Sequence, residues 1–227
     1  MASSRPAAGG GRWVEVDPER LPRWLDGFRR RHGDIAVNPT GSVLVVAGFD
    51  GAVAELHPPP GAQAGADLAE FVAAAQAPRR LGLLLARRSA AAVGIAVGTR
   101  LETSKVDSWY VQARTAAGGQ SQQRFARRRE NQAAAAAGRA AEIAVRLLAP
   151  AAGGLAAVVT GGDRRTVETI LSDPRLARVA ARRADRHLDV ATPNLAVLRE
   201  GVRRARAVAV HLPPAGRYTG RVLRCEG

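Results

Sequence analysis

The chain has 227 residues, a mass of 23.8 kDa and 46% hydrophobic residues, enough for one domain or a domain with a small companion, and global disorder is excluded. No run nears the ~18 uncharged apolar residues of a membrane helix, the opening MASSRPAAGGGRW lacks the apolar core of a secretory signal, and the single cysteine, Cys225, excludes an internal disulfide or a cysteine metal cluster. Thirty-four bases against twenty acids give a net charge of +14, which points to a polyanionic partner, nucleic acid first.

In chain order, residues 1–12 read as a Pro/Gly/Ser-rich disordered tail. Asp17-Pro18-Glu19 opens a helix, with Asp17 as N-cap and Pro18 at the first helical position. Leu21, Trp24, Leu25 and Phe28 recur at the spacing of a buried face, and Gly33 ends the helix. Ser42–Ala47 and Ala52–His57 are strand candidates around the turn residues Asp50-Gly51. Pro58-Pro59-Pro60-Gly61 begins a linker, and a short helix near Asp67–Ala75 opens the main domain.

That domain begins with strands at Leu81–Ala86 and Ala90–Val97 around a turn at Arg87-Arg88-Ser89. Arg100–Ser104 and Trp109–Ala113 continue the sheet. Arg114–Gly119 has no large apolar residue and should project as a loop. One alanine-rich helix spans Ser121–Leu148, stopped by Pro150 and Gly153-Gly154. Leu155–Val159 is a strand, Asp163 caps a helix through Val167, Ile170 and Leu171, and Leu176–Ala184 is helical. His187–Ala191 is a short strand, Thr192-Pro193 starts a helix with Leu195, Leu198 and Val202, and Ala207–Leu212 is the last strand. The pattern predicts an α/β fold, a mixed sheet covered by helices. The expected division is a tail at 1–12, a small N-terminal α+β region with its linker at 13–66, a main domain at 67–213 and a C-terminal tail at 214–227.

The chemistry concentrates between Arg114 and Arg129. Gly118-Gly119 leaves the backbone free for positive φ and for close approach to a partner. Arg124, Arg127, Arg128 and Arg129 crowd the first turns of a helix, where the macrodipole disfavours cations by roughly 0.3–1 kcal/mol each. With Arg114 they make five positive charges and no negative one, and a phosphate backbone would supply the missing anion. These five arginines are the predicted RNA-binding residues. Gln120, at the tip, has no useful pKa; it can hydrogen-bond or orient, and cannot act as a base.

Gly118-Gly119-Gln120-Ser121-x-x-Arg124-Phe125-Ala126-Arg127 resembles the Gly-Gly-Gln loop and following helix of archaeal and eukaryotic class-1 peptide release factors. Bacterial release factors follow the tripeptide with a His-x-Asn pattern that is absent here. The resemblance covers about Leu81 to Leu212 and implies a ribonuclease H-like central domain. No counterpart of the stop-codon-reading or partner-binding domains is found. The chain therefore resembles the Vms-like release-factor family of ribosome quality control, in its actinobacterial branch, which the GC-rich composition suits.

That resemblance implies a cytoplasmic peptidyl-tRNA hydrolase with Gln120 as the catalytic residue and Gly118 and Gly119 shaping the loop. Its partners would be the RNA of the ribosomal peptidyl-transferase centre and peptidyl-tRNA. No cofactor, metal or membrane is expected, and the chain should be a monomer. A ribosome- or tRNA-binding factor without hydrolysis is the other reading. A metal nuclease built on Asp107, Asp163, Glu168, Asp185 and Asp189 is disfavoured because these carboxylates are scattered. Two further basic stretches, Arg175–Arg186 and Arg199–Arg206, are solvated faces or RNA contacts.

Overall fold

The structure, a computed structural model, describes residues 3–109 and 121–214; within 121–133 it describes the helix backbone and the side chain of Gln132. The chain divides into two compact units, a first of residues 1–78 with 203–227 and a second of residues 79–202.

The first unit is a six-stranded antiparallel sheet with two helices. Its strands are β1 (Ser3–Pro6), β2 (Arg12–Val16), β3 (Ile35–Thr40), β4 (Val43–Gly48), β5 (Val53–His57) and β11 (Val208–Leu212), in the order β1-β2-β11-β5-β4-β3. Alternate residues of the strands, among them Val14, Val16, Leu44, Val46, Leu56 and Val210, meet the apolar faces of α1 (Leu21–His32) and α2 (Leu68–Gln76). Leu21, Leu25 and Phe28 supply the α1 face at helical spacing, as expected. Gly33 ends α1 at φ 76°, a conformation that favours glycine. Asp67 caps α2 by accepting the Glu70 amide at 2.8 Å, and the Glu70 carboxylate accepts the Ala66 amide at 2.8 Å.

The second unit is a five-stranded mixed sheet. Its strands are β6 (Arg80–Arg87), β7 (Ala90–Val97), β8 (Arg100–Ser108), β9 (Ala157–Gly162) and β10 (Arg183–Leu188), ordered β10-β9-β6-β7-β8. The first three form an antiparallel meander; β9 runs parallel to β6, and β10 parallel to β9. This is the ribonuclease H arrangement. Helix α3 (Ser121–Leu148) and α4 (Arg164–Leu171) cover the face that carries Leu84, Ala86, Val93 and Ile95. On the other face, a Cβ added at Gly201 of α6 (Leu195–Arg206) would meet Leu85 and Leu83 at 3.1 and 3.4 Å. A short helix, α5 (Ala177–Ala180), precedes β10.

Several expectations are corrected. The tail expected at 1–12 contains β1, which pairs with β2 from Ser3↔Glu15 to Pro6↔Arg12. Strand β3 escapes a sequence reading because Pro39 interrupts it; the proline is tolerated because β3 is a sheet edge. Ala64, in the stretch read as linker, is buried in the first core, as are Phe71 and Ala75 of α2. The division therefore falls after Pro78, not at 66/67, and the last strand belongs to the first sheet. Helix 176–184 shortens to α5, and β10 begins at Arg183, earlier than 187. Strand β8 runs unbroken to Ser108, and Trp109 follows it outside the strand.

Candidate functional site

Arg114, Gly118, Gly119 and Gln120 lie outside the described residues, as do 110–113 of the strand expected at Trp109–Ala113. The structure fixes the two ends that this stretch joins, Trp109 and Ser121. At the first, Trp109 donates its backbone amide to the Ser89 carbonyl at 2.9 Å and its indole Nε1–H to the Arg88 carbonyl at 2.5 Å. Both acceptors lie in the β6–β7 turn. The Arg139 guanidinium of α3 stands 5.3 Å from the Trp109 ring centroid, a cation–π contact. One side chain thus binds the exit of β8 to that turn and to α3.

At the second end, α3 has 28 residues, and the rise of ~1.5 Å per residue makes it about 42 Å long. Its later turns are embedded: Ala137, Ala140, Ala141, Ile143, Ala144 and Leu148 belong to the second core. Alanine permits this close approach while keeping high helix propensity. Arg124, Arg127, Arg128 and Arg129 lie within the range of α3, and their side chains are outside the described residues. No acid occupies the first turn of α3.

Ion pairs hold the embedded end of this helix. Arg175 reaches Glu142 at 2.5 Å and Asp173 at 2.7 Å. Its guanidinium holds the Glu142 carboxyl below the ordinary range, by hydrogen bond and by charge. Asp163 caps α4, accepting the Thr166 amide at 2.8 Å and hydroxyl at 2.6 Å. Those two bonds, aided by the charges of Arg88 and Arg87, lower the Asp163 pKa. Gly162, just before it, has φ +92°, and a Cβ there would lie 2.2 Å from the Ala86 carbonyl oxygen. On β10, His187 donates from Nε2 to the Gly162 carbonyl at 3.0 Å, so its Nδ1 accepts from the Thr160 hydroxyl at 3.0 Å.

Four of the five acidic residues considered for a nuclease have local roles. Asp163 is a cap, Glu168 pairs with Arg183 at 2.6 Å, Asp189 lies 3.5 Å from Arg87, and Asp107 accepts the Ser108 amide. Among the described residues, no three His, Cys, Asp or Glu side chains gather as metal ligands. Nor is any described helix long and apolar enough to cross a membrane.

The last basic stretch divides by role in a way the sequence does not reveal. Arg203 pairs with Asp17 at 2.6 Å, Arg204 with Glu15 at 3.1 Å, and Arg206 with Glu19. Asp17 thus precedes its helix at the predicted N-cap without a side-chain cap bond, its carboxylate serving Arg203 instead.

Two solved structures are similar to the chain. One is described as the archaeal translation termination factor aRF1, 18% identical, with a TM-score of 0.44, covering 85% of this chain and 63% of that one. The other, described as an archaeal protein, is also 18% identical, with a TM-score of 0.36, and covers 83% and 56% respectively. This chain thus spans less than two thirds of either structure. No curated protein matches it. A family model described as Actinobacteria/chloroflexi VLRF1 release factor matches residues 79–211. That is more than half of the chain, and the protein belongs to the Actinobacteria/chloroflexi VLRF1 release factor family.

Proposed function

We propose that this protein hydrolyses the ester joining a nascent peptide to tRNA, on the ribosome, and so frees nascent chains from stalled ribosomes. The observation that carries the reading is the segment Gly118-Gly119-Gln120-Ser121-x-x-Arg124-Phe125-Ala126-Arg127, inside the family-matched residues 79–211. It leads directly into α3, whose far end is embedded in the second core. A helix rooted in a rigid sheet is a suitable support for a loop that must reach a distant reaction centre.

In this mechanism Gln120 orients the attacking water and stabilises the developing oxyanion through its amide. It takes no proton, because an amide is no base at neutral pH. Proton transfer falls to hydroxyl and phosphate groups of the surrounding RNA. Gly118 and Gly119 let the backbone approach the ester without a Cβ. Arg114, Arg124, Arg127, Arg128 and Arg129 bind ribosomal RNA through its phosphates and hold the loop in place. Trp109 and Arg139 fix the root of the loop.

The test is peptide release from stalled ribosome–nascent-chain complexes by the wild type and Gln120→Ala. Loss of one such positioning donor should slow release about a hundredfold or more, with ribosome affinity nearly unchanged. Gly119→Ala should be at least as damaging, and Gln122→Ala and Gln123→Ala milder. Free peptidyl-tRNA should be a poor substrate. Fast, ribosome-independent cleavage that survives Gln120→Ala would move the chemistry elsewhere.

A further inference from the structure

We propose that the first unit carries a binding site for single-stranded RNA, in the groove where the end of α1 meets the tips of β2 and the β4–β5 turn. Two adjoining clefts of about 710 and 260 Å³ share Arg12, Phe28 and His32. The larger lies within the range of small-ligand pockets, about 300–1,000 Å³, and has room for a nucleotide.

An aromatic stack along α1 backs the groove. Trp24, Phe28 and His32 follow at four-residue spacing, with ring centroids 5.6 and 4.5 Å apart. Phe28 is buried between two half-buried rings that retain accessible surface. On the β4–β5 turn, next in sequence to the groove-lining Asp50, Phe49 is 90% exposed. An isolated exposed phenylalanine is a cost in water; beside a groove with aromatic walls it is a platform on which a base stacks.

The charge fits the same ligand. Arg12 and Arg31 line the groove, and Arg29 and Arg30 precede Arg31 in the last turn of α1; all four are exposed and none is in an ion pair among the described residues. Such cations complement the C-terminal dipole of α1, which explains why the helix tolerates them. It does not explain Arg12, which comes from β2, or the exposed Phe49. The one acid lining the groove, Asp50, is already engaged: His32 Nδ1 lies 2.9 Å from one carboxylate oxygen and the Ala52 amide donates to the other at 3.0 Å. A basic, aromatic groove suits stacked bases with a phosphate backbone along the rim.

This site is separate from hydrolysis, so its test does not depend on peptide release. The full chain would be cross-linked by ultraviolet light to a single-stranded RNA dodecamer carrying 4-thiouridine, and the cross-linked peptides mapped. Adducts are expected on the peptides containing Trp24, His32 or Phe49, and Gln120→Ala should retain them. The double variant Arg12→Ala/Phe49→Ala should lose those adducts and weaken RNA binding roughly tenfold. Arg31→Glu, a change at an exposed residue that lines the groove, should flatten the salt dependence of binding. Adducts confined to residues 79–202, unchanged affinity in the double variant, or equal displacement by polyglutamate at matched charge would overturn the proposal.

Discussion

The two units spend their charge differently. Residues 79–202 contain 21 bases and 10 acids, whereas residues 1–78 with 203–227 contain 13 and 10. In the first unit three arginines act as internal fastenings. Arg203, Arg204 and Arg206, from the last turn of α6, engage Asp17, Glu15 and Glu19 across a long sequence separation. In the second unit the acids are similarly engaged, by Arg80, Arg87, Arg175 and Arg183, but twice as many bases leave a surplus on the surface. The α6 arginines are thus structural glue, while the surplus of the second unit is a long-range field. The first kind is sensitive to pH and the second to salt.

The largest test of this division is physical separation. A fragment of residues 79–202 keeps all five strands of the second sheet and should melt as one cooperative transition by circular dichroism. A fragment starting at Asp67 strips β2 and β5 from either side of β11. It should expose Val208, Val210 and Phe71 and aggregate.

Charge reversal should separate field from glue. Arg127→Glu with Arg128→Glu should weaken ribosome association about tenfold at low salt and flatten its salt dependence. Arg203→Ala should leave that salt slope unchanged and lower thermal stability instead. Equal effects of the two changes in a salt titration would erase the distinction.

Smaller effects follow within the glue. The Arg206 side chain is 11% exposed, and Arg206→Ala should cost about 1–2 kcal/mol in urea unfolding, after allowance for screening of the more exposed Glu19. Burial raises the Glu19 pKa, but the hydrogen bond from Arg206, a backbone bond and the Arg206 charge bring it below the ordinary value. With the folded pKa below the unfolded one, the stabilisation is present above the unfolded carboxylate range and lost as pH falls through the folded value. Arg206→Ala should therefore flatten the acid limb of stability against pH. Least of all, Asp163→Ala should cost about 1 kcal/mol as a lost N-cap. Asp163→Asn should keep the cap and remove the acid sensitivity that its lowered pKa confers.

Elements with local signals were legible in the sequence. The apolar spacing of α1, the alanine run of α3 and the Asp163 cap each depend on neighbours a few residues apart. Where sheet partners decide, legibility falls. Strand β10, Arg183–Leu188, is polar because it is an edge, and β3 hides a proline for the same reason. Nothing within Val208–Leu212 indicates that it lies between strands almost two hundred residues and about one hundred and fifty residues earlier. The arginines of the last turn of α6 looked like candidate RNA contacts for the same reason: their partners at Glu15, Asp17 and Glu19 are distant in sequence. The Gly-Gly-Gln segment is a local pattern that a sequence can display, while the aromatic groove required α1, β2 and the β4–β5 turn to be brought together.

The position of β11 has a consequence for how this protein is made. During synthesis β2 and β5 emerge early, yet the strand that must pair with both is added only after the whole second unit. Residues 79–202 have all their partners first and are free to fold while the chain is still growing. The first unit must wait, with the apolar faces of Val14, Val16 and Leu56 lacking their central strand. A nascent copy of this factor that stalls before residue 208 would carry a finished second unit and an unfinished first sheet, an aggregation-prone product of the kind that nascent-chain surveillance exists to remove.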